Sequence, residues 1–92
     1  MRISERLADS VVKMTVYKKS GCPWAAAVIA FLNELGVGHE VKNVTTQRVY
    51  AKEVEEKSGK CISPTVEVDG EIVADASVED VAELLEKRGI VI

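Results

Sequence analysis

Apolar positions along this chain change period from one segment to the next, and each change marks an element. Val11, Val12, Met14, Val16 and Tyr17 form a β-rich run without clean alternation, the pattern of a central strand covered on both faces. From Pro23 to Leu35 the apolar residues recur at helical spacing as Trp24, Ala27, Val28, Phe31, Leu32 and Leu35, and Gly36 ends the run. Gly38 to Val44 reads as a second strand. A second helix, capped by Thr45 or Thr46 and closed after about Lys57 by Ser58-Gly59, is expected to turn Val49, Tyr50 and Val54 inward. These four elements make a βαβ unit, and its right-handed crossover sets the first two strands parallel.

Val66 and Val68, then Asp69-Gly70, then Ile72 and Val73 give the two-residue hairpin signal, so the last two strands are expected to be antiparallel. Ser77-Val78-Glu79-Asp80 is a capping-box variant that opens a third helix. Its apolar face is Val78, Val81, Ala82, Leu84 and Leu85, and Gly89 stops it. Ile3, Leu7 and Val11 share a face that allows a short N-terminal helix capped by Ser4, and Ile90-Val91-Ile92 is an apolar tail that packs on the sheet or on a partner chain.

Ninety-two residues with 47% hydrophobic content suit one domain, 1–92, with an extension over 1–10, a core over 11–88 and a tail over 89–92. A net charge of −3 with interspersed signs lacks the basic stripe that tracks a phosphate backbone, so nucleic acid is not an expected partner. The first ten residues carry scattered charges without a continuous apolar stretch, and nothing approaches a membrane span; a cytoplasmic protein without a membrane partner is expected. In that reducing compartment the two cysteines are free thiols, not a structural bridge.

One of them is placed for chemistry. Cys22 lies where the first strand gives way to the first helix, in Lys18-Lys19-Ser20-Gly21-Cys22-Pro23-Trp24-Ala25. The open N–H groups of a first helical turn, the positive end of the macrodipole and nearby ammonium groups all favour a thiolate over a thiol. Pro23 suits the first helical position, where a missing N–H costs nothing. Trp24 either covers the nucleophile or fills core at the helix start. His39 is solitary, and Cys22, Cys61 and His39 do not reproduce zinc-ligand spacing, so no mononuclear metal site is expected.

The turn Lys19-Ser20-Gly21-Cys22-Pro23-Trp24, the Ser58-Gly59 pair, Ile62-Ser63-Pro64-Thr65-Val66 and Asp69-Gly70 together resemble the glutaredoxin family, in order and spacing, over residues 11 to 88. The resemblance implies a thioredoxin-like α/β fold, with a four-stranded mixed sheet in the order second, first, third, fourth strand and three main helices on its two faces. It also implies glutathione-dependent thiol–disulfide oxidoreductase activity, with Cys22 as nucleophile and glutathione as co-substrate. Mixed disulfides of proteins or small molecules are the implied substrates, and a monomer is expected.

The family's dithiol members carry a second cysteine three residues after the first, and here that position is Ala25. Native or introduced, the alanine leaves one thiol at the turn and implies a monothiol cycle. The resemblance further implies a cis Ser63-Pro64 bond facing Cys22, with the Ser63 backbone open to pair with an extended peptide such as glutathione. Lys19 would attract the glycine carboxylate of glutathione and help hold Cys22 ionised. The family's second-helix contact to that carboxylate aligns with Ala51, so Arg48 or Lys52 would stand in.

The amides of Ser77 and Val78 would receive the γ-glutamyl end, although Ala74-Asp75 replaces the usual Gly-Gly and Asp75 adds a negative charge there. Cys61, three residues before Pro64, is expected near the site as a passive thiol, with a resolving or glutathionylated role as the alternative. Two other readings stand beside the enzyme. One is a carrier that shares a [2Fe-2S] cluster between two subunits, for which Pro23-Trp24 replaces the usual Gly-Phe-Ser; the other is a redox-silent binding module.

Overall fold

The computed structural model describes residues 13–90. Its elements follow the order β1 (Met14–Lys18), α1 (Pro23–Leu35), β2 (Glu40–Asn43), α2 (Arg48–Ser58), β3 (Thr65–Val68), β4 (Glu71–Val73) and α3 (Val78–Lys87). The sheet order is β2-β1-β3-β4. β1 runs parallel to β2, with Val16 opposite Val41, and antiparallel to β3, with Val16 opposite Val66; β3 and β4 are antiparallel. This is the expected mixed sheet. The expected N-terminal helix, the start of the first strand at Val11-Val12 and the tail residues Val91-Ile92 lie outside the described residues.

Strand alternation sorts side chains onto two unequal faces. Met14 and Val16 of β1 with Val66 and Val68 of β3 face α1 and α3, where Val28, Leu32, Val81, Leu84 and Leu85 close the larger core, and Ile90 packs against its edge. On the opposite face Tyr17, Val44 and Val54 form a smaller cluster under α2. Asp69 and Gly70 both take positive φ, 50° and 90°, as the tight antiparallel turn between β3 and β4 requires. Arg88, just past α3, ties that turn to the helix, donating to Asp69 Oδ2 (3.3 Å), Glu71 Oε1 (2.9 Å) and the Val68 carbonyl (3.2 Å).

Four local expectations are corrected. The α1 face that meets the sheet carries Ala25, Val28 and Leu32, whereas Trp24 and Ala27 are exposed. Val49 is 62% exposed, not inward, because Val54, the side chain that α2 turns to the sheet, lies about 140° around the helix from it. Neither Thr45 nor Thr46 caps α2. Its N-cap is Gln47, without a side-chain bond, and the N–H groups of Thr45 and Thr46 donate to Asn43 Oδ1 at 2.9 and 3.1 Å. The second strand, Glu40–Asn43, is shorter than the expected Gly38 to Val44.

The α2 face holds an ion network over Tyr17. The Tyr17 hydroxyl donates to Glu53, Lys42 Nζ meets Glu53 Oε2 at 2.6 Å, and Lys57 Nζ meets Glu67 Oε1 at 2.7 Å and the Tyr17 oxygen at 3.3 Å. Hydrogen bonds from Lys42 and Tyr17 hold the Glu53 carboxyl below its ordinary value. The Glu53 carboxylate holds Lys42 above its own, Glu67 does the same for Lys57, and burial raises Tyr17.

A depressed carboxyl stabilises the fold above the unfolded value of about pH 4.3, and that contribution is lost as pH falls through the folded value. The raised lysines contribute fully below about pH 10.4 and lose that contribution as pH rises through their folded values; the phenol acts in the same direction. Thermal melts should therefore give a plateau from about pH 5 to about pH 9 with a fall on either side. Glu53→Gln should lower the plateau and flatten the acid limb; an acid limb as steep as the parent's would show that Glu53 does not drive it.

Candidate active site

β1 delivers the chain to the end of the sheet, where Lys18 is followed by a tight turn. Gly21 takes φ 76°, a left-handed conformation that a side chain resists, and so aims Cys22 into the N-cap position of α1 with Pro23 at the helix start. The Cys22 N–H donates to the Lys19 carbonyl at 3.3 Å, and the Cys22 carbonyl accepts from Ala26 at 3.1 Å. Its side chain caps nothing and its residue is half-buried, which leaves the sulfur reachable.

The turn is clamped from two sides. From the loop after β2, Thr45 Oγ1 accepts the Ser20 N–H at 3.0 Å and the Asn43 amide donates to Ser20 Oγ at 3.1 Å. From the loop before β3, Ser63 Oγ accepts the Lys19 N–H at 2.9 Å, and the Ser63 carbonyl accepts the Cys22 thiol at 3.7 Å. The Ser63-Pro64 bond is cis, as the resemblance implied, and Pro64 is buried. The Pro64 carbonyl accepts the Ala76 N–H at 2.9 Å, joining this loop to the segment that opens α3.

The Cys22 thiol is pulled below its ordinary value. Hydrogen bonding from the Ser63 side chain leads; burial opposes it; the N–H groups of Ala25 and Trp24 and the charge of Lys18 add to it. The helix start therefore does what the sequence argument asked, but Lys18 supplies the charge, while exposed Lys19 contributes its backbone. Trp24 is 69% exposed and fills no core, and Ala25 is fully buried.

Around this centre, Arg48 opens α2 and is exposed. Ser77 caps α3 in a complete capping box. Asp80 N–H donates to Ser77 Oγ at 3.1 Å and Ser77 N–H to Asp80 Oδ2 at 3.0 Å, which commits the Ser77 amide. Asp75 takes φ 56°, the left-handed conformation that asparagine and aspartate tolerate better than most residues. Cys61 packs against the smaller cluster beside Tyr17, Val44 and Val54, and both cysteines are free.

Asn43, Thr45 and the Ser63 hydroxyl were not expected in these roles. An Asn-x-Thr-Thr loop signals a side-chain-stabilised turn, but its pairing with Ser20, 23 residues away, has no local signal.

The glutaredoxin family model matches residues 14–73. No curated protein gives a significant match. Among solved structures, a mutant of the thioredoxin-like protein BC3987 superposes with a TM-score of 0.74 at 29% identity, over 78% of this chain and 97% of that one. The glutaredoxin from Archaeoglobus fulgidus gives 0.71 at 22% identity, over 89% and 98%. The buckwheat glutaredoxin–glutathione complex gives 0.63 at 15% identity, over 84% and 71%. With the nucleophile turn, the cis-proline loop and the sheet order all in place, the chain belongs to the glutaredoxin family.

Proposed function

We propose that the protein is a glutathione-dependent thiol–disulfide oxidoreductase that works by a monothiol cycle. The observation that carries this reading is a reachable, pKa-lowered Cys22 at the start of α1 with a buried methyl, Ala25, where a second thiol would stand. The Cys22 thiolate attacks the glutathionyl sulfur of a mixed disulfide, the protein thiolate leaves and takes a proton from water, and Cys22 is left bonded to glutathione. The thiolate of a second glutathione attacks the glutathionyl sulfur, oxidised glutathione departs, and Cys22 leaves as a thiolate; the low pKa that made it available also makes it a good leaving group.

Glutathione would lie extended along the Ser63-Pro64 edge, pairing with the Ser63 backbone. Lys19 and Arg48 would attract its glycine carboxylate. At the other end, the capping box takes the Ser77 amide, so the γ-glutamyl carboxylate would meet Val78 N–H first, with Asp75 facing the adjacent ammonium. A reducing compartment such as the cytoplasm supplies the co-substrate.

Incubation with a glutathionylated peptide should place one glutathionyl group on Cys22, seen by intact mass and peptide mapping, and reduced glutathione should remove it. No adduct at Cys22 would end the reading. Ala25→Cys tests the monothiol part. Residues one helical turn apart bring Cβ atoms within about 5–6 Å, inside reach of a disulfide after small adjustment. The variant should lose two titratable thiols on mild oxidation and gain reduction of protein disulfides such as insulin. Thiol titre unchanged by oxidation would mean that position 25 cannot resolve Cys22.

A further inference from the structure

We infer that the Ser63 hydroxyl is a positioning residue for the nucleophile, relaying the Lys19 N–H to the Cys22 sulfur and so favouring its charged, attacking form. The inference rests on the reading of Cys22 as nucleophile and adds a group that the cysteine-containing turn does not itself contain.

Ser63 meets the turn through two groups of opposite capability. Its carbonyl accepts the Cys22 S–H at 3.7 Å, and a carbonyl has nothing to donate, so that contact serves the neutral thiol alone. Its hydroxyl oxygen accepts the Lys19 N–H at 2.9 Å, which occupies a lone pair and leaves the hydroxyl proton free to turn. When Cys22 loses its proton, the S–H to carbonyl contact goes and an O–H to sulfur bond replaces it. The resulting chain, Lys19 N–H to Ser63 Oγ–H to sulfur, ends on a charged acceptor, and each bond polarises the next.

The loop holds that hydroxyl in place. Pro64 and Thr65 are buried, Thr65 Oγ1 donates to the Ile62 carbonyl at 2.7 Å, and the Pro64 carbonyl is tied to Ala76 at 2.9 Å. A group fixed on both sides loses little freedom when it orients toward the sulfur. The lowered pKa of Cys22, with the Ser63 side chain as leading cause, agrees with this arrangement. Among charged groups, Lys18 at the end of β1 acts on the sulfur directly; Lys19 on the turn, Arg48 at the start of α2 and Asp75 before α3 also line this end, and substitution of Ser63 leaves all four unchanged.

The test uses Cys61→Ser as parent, so that Cys22 is the single thiol of a chain with two cysteines. Iodoacetamide alkylation is followed against pH for the parent and for Ser63→Ala, Ser63→Thr and Ser63→Val, with melting curves for each. Thr and Val share a shape and differ in the hydroxyl. The expected result is an alkylation midpoint moved to higher pH in Ala and Val, with a rate at pH 7 lower by about threefold once the rising intrinsic nucleophilicity is counted, and a parent-like midpoint in Thr. Should Ala fail to fold, the Thr and Val pair decides. Equal midpoints in Thr and Val overturn the inference and leave the oxidoreductase reading standing; a parent midpoint at the free-cysteine value of about 8.5 overturns that reading instead.

Discussion

Cys22→Ser is expected to reduce glutathione-coupled turnover of a mixed disulfide to the uncatalysed background, a loss on the order of a thousandfold, with the fold unharmed. Disulfide exchange needs a thiolate, and a serine hydroxyl does not ionise in the accessible range. No neighbour can take over: the adjacent helical turn offers Ala25, and Cys61 is packed beside Tyr17 under α2. The structural side of the substitution is mild. Cys22 is an N-cap whose side chain makes no capping bond, and serine is among the best N-cap residues, so the variant should melt within about 3 °C of the parent, on either side. Coupled kinetics and circular dichroism on the same preparation separate the two effects. Residual turnover above about a tenth of the parent's would place the chemistry on Cys61, whereas a parent already at background would describe a binding module instead of an enzyme.

Elements were legible where local chemistry alone decides them. The α1 span from Pro23 to Leu35 needs only a helical period, a proline that fits its first position and Gly36 in the left-handed cap at φ 73°. The capping box of α3 and the Asp69-Gly70 hairpin are likewise specified within four residues. Legibility failed where neighbours far along the chain decide. Trp24, Ala25, Ala26 and Ala27 are all apolar, so the period cannot say which of them turns toward the sheet; a small side chain, Ala25, takes the buried place and the indole stays outside.

Threonines at 45 and 46 fit both a cap and a turn, and Asn43 settled the competition by accepting both amides. Within the site, Cys22 was readable from its flanks, and the cis Ser63-Pro64 bond only through the family resemblance. The clamp of Ser63, Thr45 and Asn43 on the turn was not, because it exists only once β1 lies between β2 and β3.

Leu85→Ala should cost about 3 kcal/mol of stability and lower the melting temperature by roughly 15 °C for a chain of this size. Leu85 is fully buried in the larger core, where it joins Val81 and Leu84 of α3 to the β1 and β3 side chains Val16, Val66 and Val68. Truncation loses the transfer energy of the removed carbons and leaves a cavity, because a close-packed interior relaxes only in part. α3 has ten residues, too few to be stable by itself, so its hold on the sheet comes from this face.

The site shares that dependence. Ser77 caps the same helix, and the segment before it is anchored to the Pro64 carbonyl, so a loosened α3 should raise the KM for glutathione while the alkylation pH profile of Cys22, set by Ser63 and the start of α1, stays close to the parent's. Far-UV circular dichroism is the suitable probe for the melt, since Trp24 is already 69% exposed in the folded chain and its emission would change little. A loss below about 1 kcal/mol would mean that α3 is held mainly by Arg88 and its contacts to Asp69, Glu71 and Val68, and that the apolar face is secondary.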